Sequence, residues 1–391
     1  MNIGHSFKDV STEKGQNFYL SLLMEAQLVT IGGATEINKE SITSLSFALT
    51  NFSFDLWDFE NSFFNLEVSD TKVKVVKRIN YDEQLNTMLA TKAPTVTAFF
   101  IIEVKNKEFS EIVEIADNLC YLFSFAMGTK VSWIYYNYLN ETGVGLLTSH
   151  FRTMVMNYDT FPVIDLNSQN SLIDFIENSY HKFVQTQAEY GLKDIIDVLT
   201  QAKSGGLPKL AALNVSSAID ALRATWAEKN NWSYMFDDTD FSKFIREPIK
   251  KEIRKGFKGA EIPETKRAEI YKKLSELNRP TFKTVLKEMI KTVKGAIQIK
   301  TDPQAEEDEI DRFVNRRDNL VHQGKFLTSN VLSELYEIFS IADRIILALL
   351  EYKGLYYNAG TGISIDIGQT NLSQPLSESK AEQVEKPPQI A

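Results

Sequence analysis

Residues 317–322 contain the side chains with the clearest potential for chemistry. Arg317 lies on the apolar stripe of a predicted helix. The hydrophobic residues of that stripe are Ile310, Phe313, Val314, Leu320 and Val321. Because a buried, unpaired guanidinium is costly, Arg317 must pair with a carboxylate, reach solvent at the rim of the bundle, or serve a site that needs a fixed cation. His322, one of only 4 histidines in the chain, follows on the same predicted helix.

An arginine and a histidine together could cleave RNA without a metal ion. Attack of a 2′-hydroxyl on phosphorus needs a proton acceptor, a cation for the crowded phosphate and a proton for the leaving oxygen. Histidine titrates near neutral pH, and arginine stays charged and binds phosphate oxygens. Five residues of α-helix turn by about 140°, so Arg317 and His322 point in different directions on one straight helix. One copy of the pair therefore makes a poor site.

The arrangement of Arg317, Asp318 and, after four intervening positions, His322 resembles the motif of the HEPN superfamily of helical ribonucleases and nucleotide-binding domains. Gln323 and Gly324 also match, because family members often continue with glycine. The resemblance implies that Arg317 and His322 are catalytic and that Asp318 orients or polarises them. It also implies a homodimer, in which two motifs face each other and form one site.

An acidic residue on an earlier helix often contacts the motif arginine in this family, and Asp220 is the candidate here. The alternative is that Asp220 is a surface residue. Trp226, Trp232 and Tyr234 could stack on RNA bases, or they could be core and rim aromatics. For the motif itself, the alternative is a helix-end arginine bonded to a core carboxylate, with a histidine favoured by the helix dipole.

The charge distribution predicts a surface for phosphate. The net charge of −9 argues against nucleic-acid binding when taken alone. However, residues 243–300 contain 17 Lys or Arg and 7 Glu, a surplus of +10, which leaves −19 on the rest of the chain. This asymmetry indicates RNA as a partner. The candidate RNA contacts are Lys250, Lys251, Arg254 and Lys255. The alternative is a solvated helical face with pairs such as Glu247 with Lys251.

The pattern of elements predicts two folded domains and a tail. Residues 1–162 read as an α+β domain, antiparallel and β-rich, with one long helix that Ser110 caps and Gly128 closes. Residues 163–357 keep a helical period and predict an all-α, HEPN-like bundle. Residues 358–391 are rich in Gly, Ser, Gln, Glu and Pro, which predicts a disordered tail. This order resembles the ApeA-like anti-phage proteins, and it implies a sensing or gating N-terminal domain that responds to a phage-derived trigger or a partner protein.

Several function classes lack sequence support. The chain has no Walker loop, dinucleotide fingerprint, zinc helix or nucleophile elbow. With Cys120 as the only cysteine, we expect no metal and no cofactor. No apolar run is long enough to span a membrane, so we expect a cytoplasmic protein. The sequence therefore predicts a metal-independent HEPN endoribonuclease with an anti-phage role. The alternative is a non-catalytic HEPN module that binds nucleotide, RNA or a partner protein.

Overall fold

The computed structural model describes residues 28–31, 42–54, 62–91, 95–140, 147–150, 161–165, 168–204, 206–258, 260, 262–294, 303–358 and 362–367. An antiparallel sheet forms from the N-terminal part of these residues, and helices dominate the C-terminal part. This arrangement confirms the predicted fold class, an antiparallel β-rich N-terminal region followed by a helical bundle.

The sheet has seven strands in the order β1-β7-β6-β2-β5-β4-β3, and each neighbouring pair is antiparallel. The strands are β1 (Leu28–Ile31), β2 (Ile42–Thr50), β3 (Phe63–Val68), β4 (Thr71–Lys77), β5 (Val96–Glu103), β6 (Ser132–Asn140) and β7 (Leu147–His150). In β3 and β4, buried and exposed side chains alternate, as expected for a sheet with one face on the core.

Two helices belong to the sheet region, α1 (Tyr81–Thr91) and the longer α2 (Phe109–Met127). The sequence predicted only the long one, because α1 buries only Tyr81 and Met88. The prediction that Ser110 caps α2 was wrong. Glu108 is the N-cap residue, and the Glu111 carboxylate accepts its backbone N–H at 3.1 Å. Gly128 closes α2 as predicted, with φ of 65° and with the carbonyl oxygen of Phe161 only 2.0 Å from where a Cβ would lie.

Nine helices follow in the described C-terminal part. They are α3 (Gln169–Tyr190), α4 (Leu192–Lys203), α5 (Pro208–Lys229), α6 (Asp238–Phe241), α7 (Glu247–Gly256), α8 (Glu264–Lys273), α9 (Phe282–Lys294), α10 (Pro303–Gln323) and α11 (Val331–Leu349). A π-helical turn (Ser242–Arg246) precedes α7, and a 3-10 turn (Leu274–Asn278) follows α8. Helix α11 is the most buried, and it packs against α5, α9 and α10. Helices α7 and α8 bury no side chain and form a lobe beside the bundle.

The hydrophobic core runs without a break from the sheet through α2 into the bundle. A hairpin of β8 (Leu355–Asn358) and β9 (Ile363–Asp366) joins this core through Tyr356 and Ile367. The prediction that disorder begins at residue 358 was therefore wrong for residues 362–367, because Ile367 buries an apolar side chain that composition alone did not reveal. Residues 368–391 of the predicted tail lie outside the described residues.

No helix of the described ranges is both long and apolar enough to cross a membrane. Within the same ranges, no group of three or more His, Cys, Asp or Glu side chains is placed so that it could hold a metal ion. The expected independence from metal remains a prediction.

Candidate active site

Two carboxylates hold the guanidinium of Arg317 on α10. Its Nη2 donates to Oδ2 of Asp220 on α5 at 3.1 Å, and its Nη1 donates to Oδ1 of Asp318 at 2.7 Å. The Arg317 side chain is only 16 % exposed. The charge on the apolar stripe is thus paired rather than isolated, which avoids the large penalty of a lone buried ion. The contact with Asp220 matches the one that the motif resemblance implied, and the functional role of Asp220 remains a prediction.

A second arginine and an aromatic ring complete the surroundings of Arg317. The Cζ atoms of Arg317 and Arg223 lie 4.5 Å and 5.2 Å from the ring centroid of Phe282 on α9, within the range of cation–π attraction. Arg223 donates from Nε and Nη2 to Oδ1 of Asp220, at 2.9 Å and 2.8 Å. Asp220 therefore bridges two guanidinium groups, one at each oxygen. Neither Arg223 nor Phe282 was predicted from the sequence. The i, i+3 spacing of Asp220 and Arg223 is the one signal that could have indicated Arg223.

His322 is exposed at the end of α10, on the wall of a shallow depression. The side chains around that depression are Asn315, Asp318, Asn319, His322, Gln323 and Leu327. Arg317 is not among them, as expected when about 140° of helix separates the two motif residues. Asp318 belongs to the surroundings of both Arg317 and His322. Its side chain is 46 % exposed, its carboxylate bonds Arg317, and it lines the depression together with His322.

Within the described residues, the neighbouring arginine, Arg316, forms its ion pairs with α11 and not with α5. Its Nη1 bonds the carboxylate of Glu337 on α11, and its Nε lies 3.9 Å from Glu334. Two consecutive arginines thus have separate carboxylate partners, and of these two only Arg317 contacts Asp220 and Phe282.

The four cations proposed to bind RNA lie on α7, and most of them already have partners within the lobe. Lys250 pairs with Glu247 at 3.4 Å, and Lys255 pairs with Glu252 at 2.7 Å. Lys250 and Arg254 also lie 5.8 Å and 5.9 Å from the ring centroid of Tyr271. Lys251 is exposed. In the described residues Glu247 pairs with Lys250 at i, i+3 and not with Lys251, the i, i+4 partner named as an example in the alternative of a solvated face. In the part of the chain that the structure describes, the contacts of these cations do not join them to Arg317 or His322.

Among the aromatic candidates, Trp226 is a core residue, which excludes it as a base-stacking platform. Trp232 is half-buried against the core, with its ring 6.4 Å from that of Trp226. Tyr234 is exposed. Of the three, Tyr234 is the one that could meet an RNA base without a change in the core.

Comparison with known families identifies the helical region. Residues 213–354 match the family model described as Apea-like HEPN. The match includes Asp220, Arg317, Asp318 and His322. No curated protein and no solved structure matches the chain.

Proposed function

We propose that this protein, whose C-terminal region is an HEPN domain of the ApeA-like type, is a metal-independent endoribonuclease. One observation carries the proposal. Within the matched region, Arg317 is held between Asp220 and Asp318, and the exposed His322 shares a depression with Asp318. A fixed cation and a solvent-accessible proton-transfer group supply two of the three functions that metal-free cleavage of RNA requires, and water or His322 of a second copy supplies the remaining proton transfer.

In the proposed reaction the 2′-oxygen of a ribose attacks the adjacent phosphorus while the bond to the 5′-oxygen breaks. The 2′-hydroxyl loses its proton and the departing 5′-oxygen gains one: His322 carries out one of these two transfers, and water or His322 of a second copy carries out the other. The products are a 2′,3′-cyclic phosphate and a 5′-hydroxyl. Arg317 stabilises the charge on phosphorus. Because Asp318 is nearly half exposed, a phosphate oxygen can replace its carboxylate at Nη1 of Arg317 while Asp220 keeps Nη2 in place.

Exposed apolar side chains near His322 support a homodimer. Val321, Leu327 and Leu332 are 45 %, 52 % and 54 % exposed, and they lie within one short stretch that includes the motif histidine. Apolar groups concentrated in this way are typical of a surface that a partner covers. A second copy of the chain would cover them and would bring two motifs together in one site.

The biological setting is also proposed. The positive lobe of α7 and α8 supports RNA as the substrate. We assign the N-terminal region to sensing or gating, the trigger to a phage component or a partner protein, and the whole to cytoplasmic anti-phage defence. The family match over residues 213–354 supports the anti-phage part of this assignment.

A second candidate function is a non-catalytic HEPN module that binds nucleotide, RNA or a partner protein. It is favoured by the fact that both Nη atoms of Arg317 are already bonded to carboxylates.

Cleavage of bulk RNA by the purified protein separates the two candidates. We expect His322→Ala and Arg317→Ala to lower the rate by about 10² to 10⁴ while both variants stay folded. His181→Ala is the matched control, because His181 is an exposed histidine on α3, outside the matched region, and its loss should leave cleavage unchanged. Equal rates in all four proteins would overturn the catalytic assignment. Salt-dependent RNA binding without cleavage would instead support the binding module.

A further inference from the structure

The segment after the motif, residues 324–330, folds back beside the last turn of α10. Gly324 begins it with φ of 64°, and its N–H donates to the carbonyl of Leu320 at 3.0 Å. The side-chain amide of Asn319 donates to the carbonyl of Lys325 at 2.6 Å. Among the side chains of this segment, Phe326 packs against the core and the others are exposed. Apolar burial therefore contributes little to holding the segment, and its polar contacts must hold it.

The main polar contact comes from Glu334, in the first turn of α11. Its side chain is only 2 % exposed, although carboxylates are rarely buried so completely. Its Oε2 accepts the N–H of Leu327 at 3.1 Å, and its Oε1 accepts the N–H of Thr328. Arg316 supplies a nearby positive charge at 3.9 Å. Two backbone donors and a cation satisfy a buried carboxylate that would otherwise be destabilising.

Leu327 links the hydrogen bonds of Glu334 to the candidate active site. It is the residue of the segment that lines the depression containing His322. A carboxylate that binds the backbone N–H of Leu327 therefore fixes one wall beside the imidazole. Glu337, one turn further along α11, also bonds Arg316, but within the described residues it forms no hydrogen bond with the segment.

We infer that Glu334 is a positioning residue of the site, which holds residues 324–330 so that Leu327 forms a fixed wall beside His322. Its effect on cleavage rests on the proposed ribonuclease function, whereas its effect on the segment does not. Cleavage of RNA depends on placing the scissile phosphate against His322 within a few tenths of an ångström, so a mobile wall lowers turnover more than it lowers RNA affinity.

The test compares Glu334→Gln with Glu337→Gln in the full-length protein. Glu334→Gln keeps the size of the side chain but removes its charge and one of its two acceptors. We expect trypsin to cleave after Lys325 about tenfold faster than in the wild type, kcat to fall about tenfold, and KM to change less than twofold. Glu334→Asp should restore part of the kcat. Glu337→Gln should match the wild type in all three measurements, although it also removes a partner of Arg316.

Two results would overturn the inference: an unchanged rate of trypsin cleavage, or wild-type kcat together with a trypsin-sensitive segment. If Glu334→Gln does not fold, Asn319→Ala removes the second anchor from the solvent side, and the same changes are expected of it. If the wild type does not cleave RNA, the proposed function fails, but the inference can still be judged. The NMR signal of the His322 imidazole, one of 4 histidines, should shift in Glu334→Gln and not in Glu337→Gln, and an unshifted signal would overturn the positioning role.

Discussion

Asp220 and Arg317 are 97 residues apart in the chain, and their side chains meet with 3.1 Å between Oδ2 and Nη2. This contact connects α5 to α10 at the position where the motif arginine interrupts the apolar stripe of α10. Because Arg223 occupies the other oxygen of Asp220, the carboxylate cannot rotate freely, and the Arg317 fork is fixed in direction. The cation of the proposed reaction is thus preorganised before any phosphate arrives.

Asp220→Asn should therefore lower RNA cleavage by about tenfold. A hydrogen bond to a charged group contributes about 1.5–3 kcal/mol, and each 1.4 kcal/mol corresponds to about a factor of ten in rate. Single-turnover cleavage rates measure the effect. Asp194→Asn, at an exposed carboxylate on α4, is the control and should cleave like the wild type. If the two variants cleave at the same rate, Asp220 has no positioning role.

The local sequence pattern predicted those features of the site that depend on one helix, α10. The period of α10 showed that Arg317 interrupts an apolar stripe, and the spacing to His322 indicated that the two side chains diverge. The partners that hold them could not be predicted in this way. Arg223 and Phe282 reach Arg317 only because α5 and α9 pack against α10.

Glu334 shows the same limit within α11. It stands between Ser333 and Leu335 in the first turn of α11, and its sequence position does not reveal the two N–H groups that it binds. The closure of α2 at Gly128 was predicted because a glycine C-cap is a local signal. The N-cap of α2 and the hairpin after residue 354 were not, because each depends on what the neighbouring backbone contacts.

RNA fragments made by this protein should end in a 2′,3′-cyclic phosphate, and EDTA should not slow their formation. Arg317 supplies the positive charge, His322 supplies one proton transfer, and water or His322 of a second copy supplies the other, so the reaction has no step that calls for a metal ion. Mass spectrometry of the fragment ends, with and without EDTA, checks both statements. Cleavage that requires a divalent metal and leaves a 3′-hydroxyl would contradict them.

Reversing the charge of the α7 cations should weaken RNA binding and flatten its dependence on salt. The variant replaces Lys250, Lys251, Arg254 and Lys255 with Glu in a His322→Ala background, so that RNA stays intact. Each lost phosphate contact should reduce the slope of log K against log salt by about 0.7. Lys251 and Arg254 should dominate, because Lys250 and Lys255 already pair with Glu247 and Glu252. Reversal of Lys72 and Lys105, exposed in the sheet region, is the control. An unchanged slope would indicate that the α7 cations form a solvated helical face and do not contact RNA.

Removing one member alone of the buried pair formed by Lys203 on α4 and Asp343 on α11 should destabilise the fold. The Nζ of Lys203 donates to both oxygens of Asp343, at 2.6 Å and 2.7 Å. Lys203→Met leaves a buried carboxylate unpaired, so the free energy of unfolding should fall by about 3–5 kcal/mol. The double variant Lys203→Met with Asp343→Leu should recover most of this loss. Urea unfolding measures both.

The same pair predicts the direction in which the stability deficit of Lys203→Met changes with pH. Burial raises the pKa of Asp343 above its ordinary value of 3.8. Without Lys203, the folded chain therefore binds a proton at a higher pH than the unfolded chain, and the deficit of Lys203→Met should shrink as the pH falls through the folded-state pKa. A deficit that grows on acidification would contradict this account.

The active species should be a homodimer in which two copies of residues 317–322 form one site. Arg317 and His322 face different sides of α10, and the stretch that contains His322 also exposes Val321, Leu327 and Leu332. Two helices related by a two-fold axis can place the arginine of one copy near the histidine of the other, which one helix cannot do. Leu332→Glu should therefore produce a monomer with little activity, whereas Leu210→Glu, at a similarly exposed leucine near the start of α5, should leave a dimer. Mass and specific activity are measured together across a dilution series, and both should fall over the same range of concentration. A monomer with constant specific activity at every concentration would rule the composite site out.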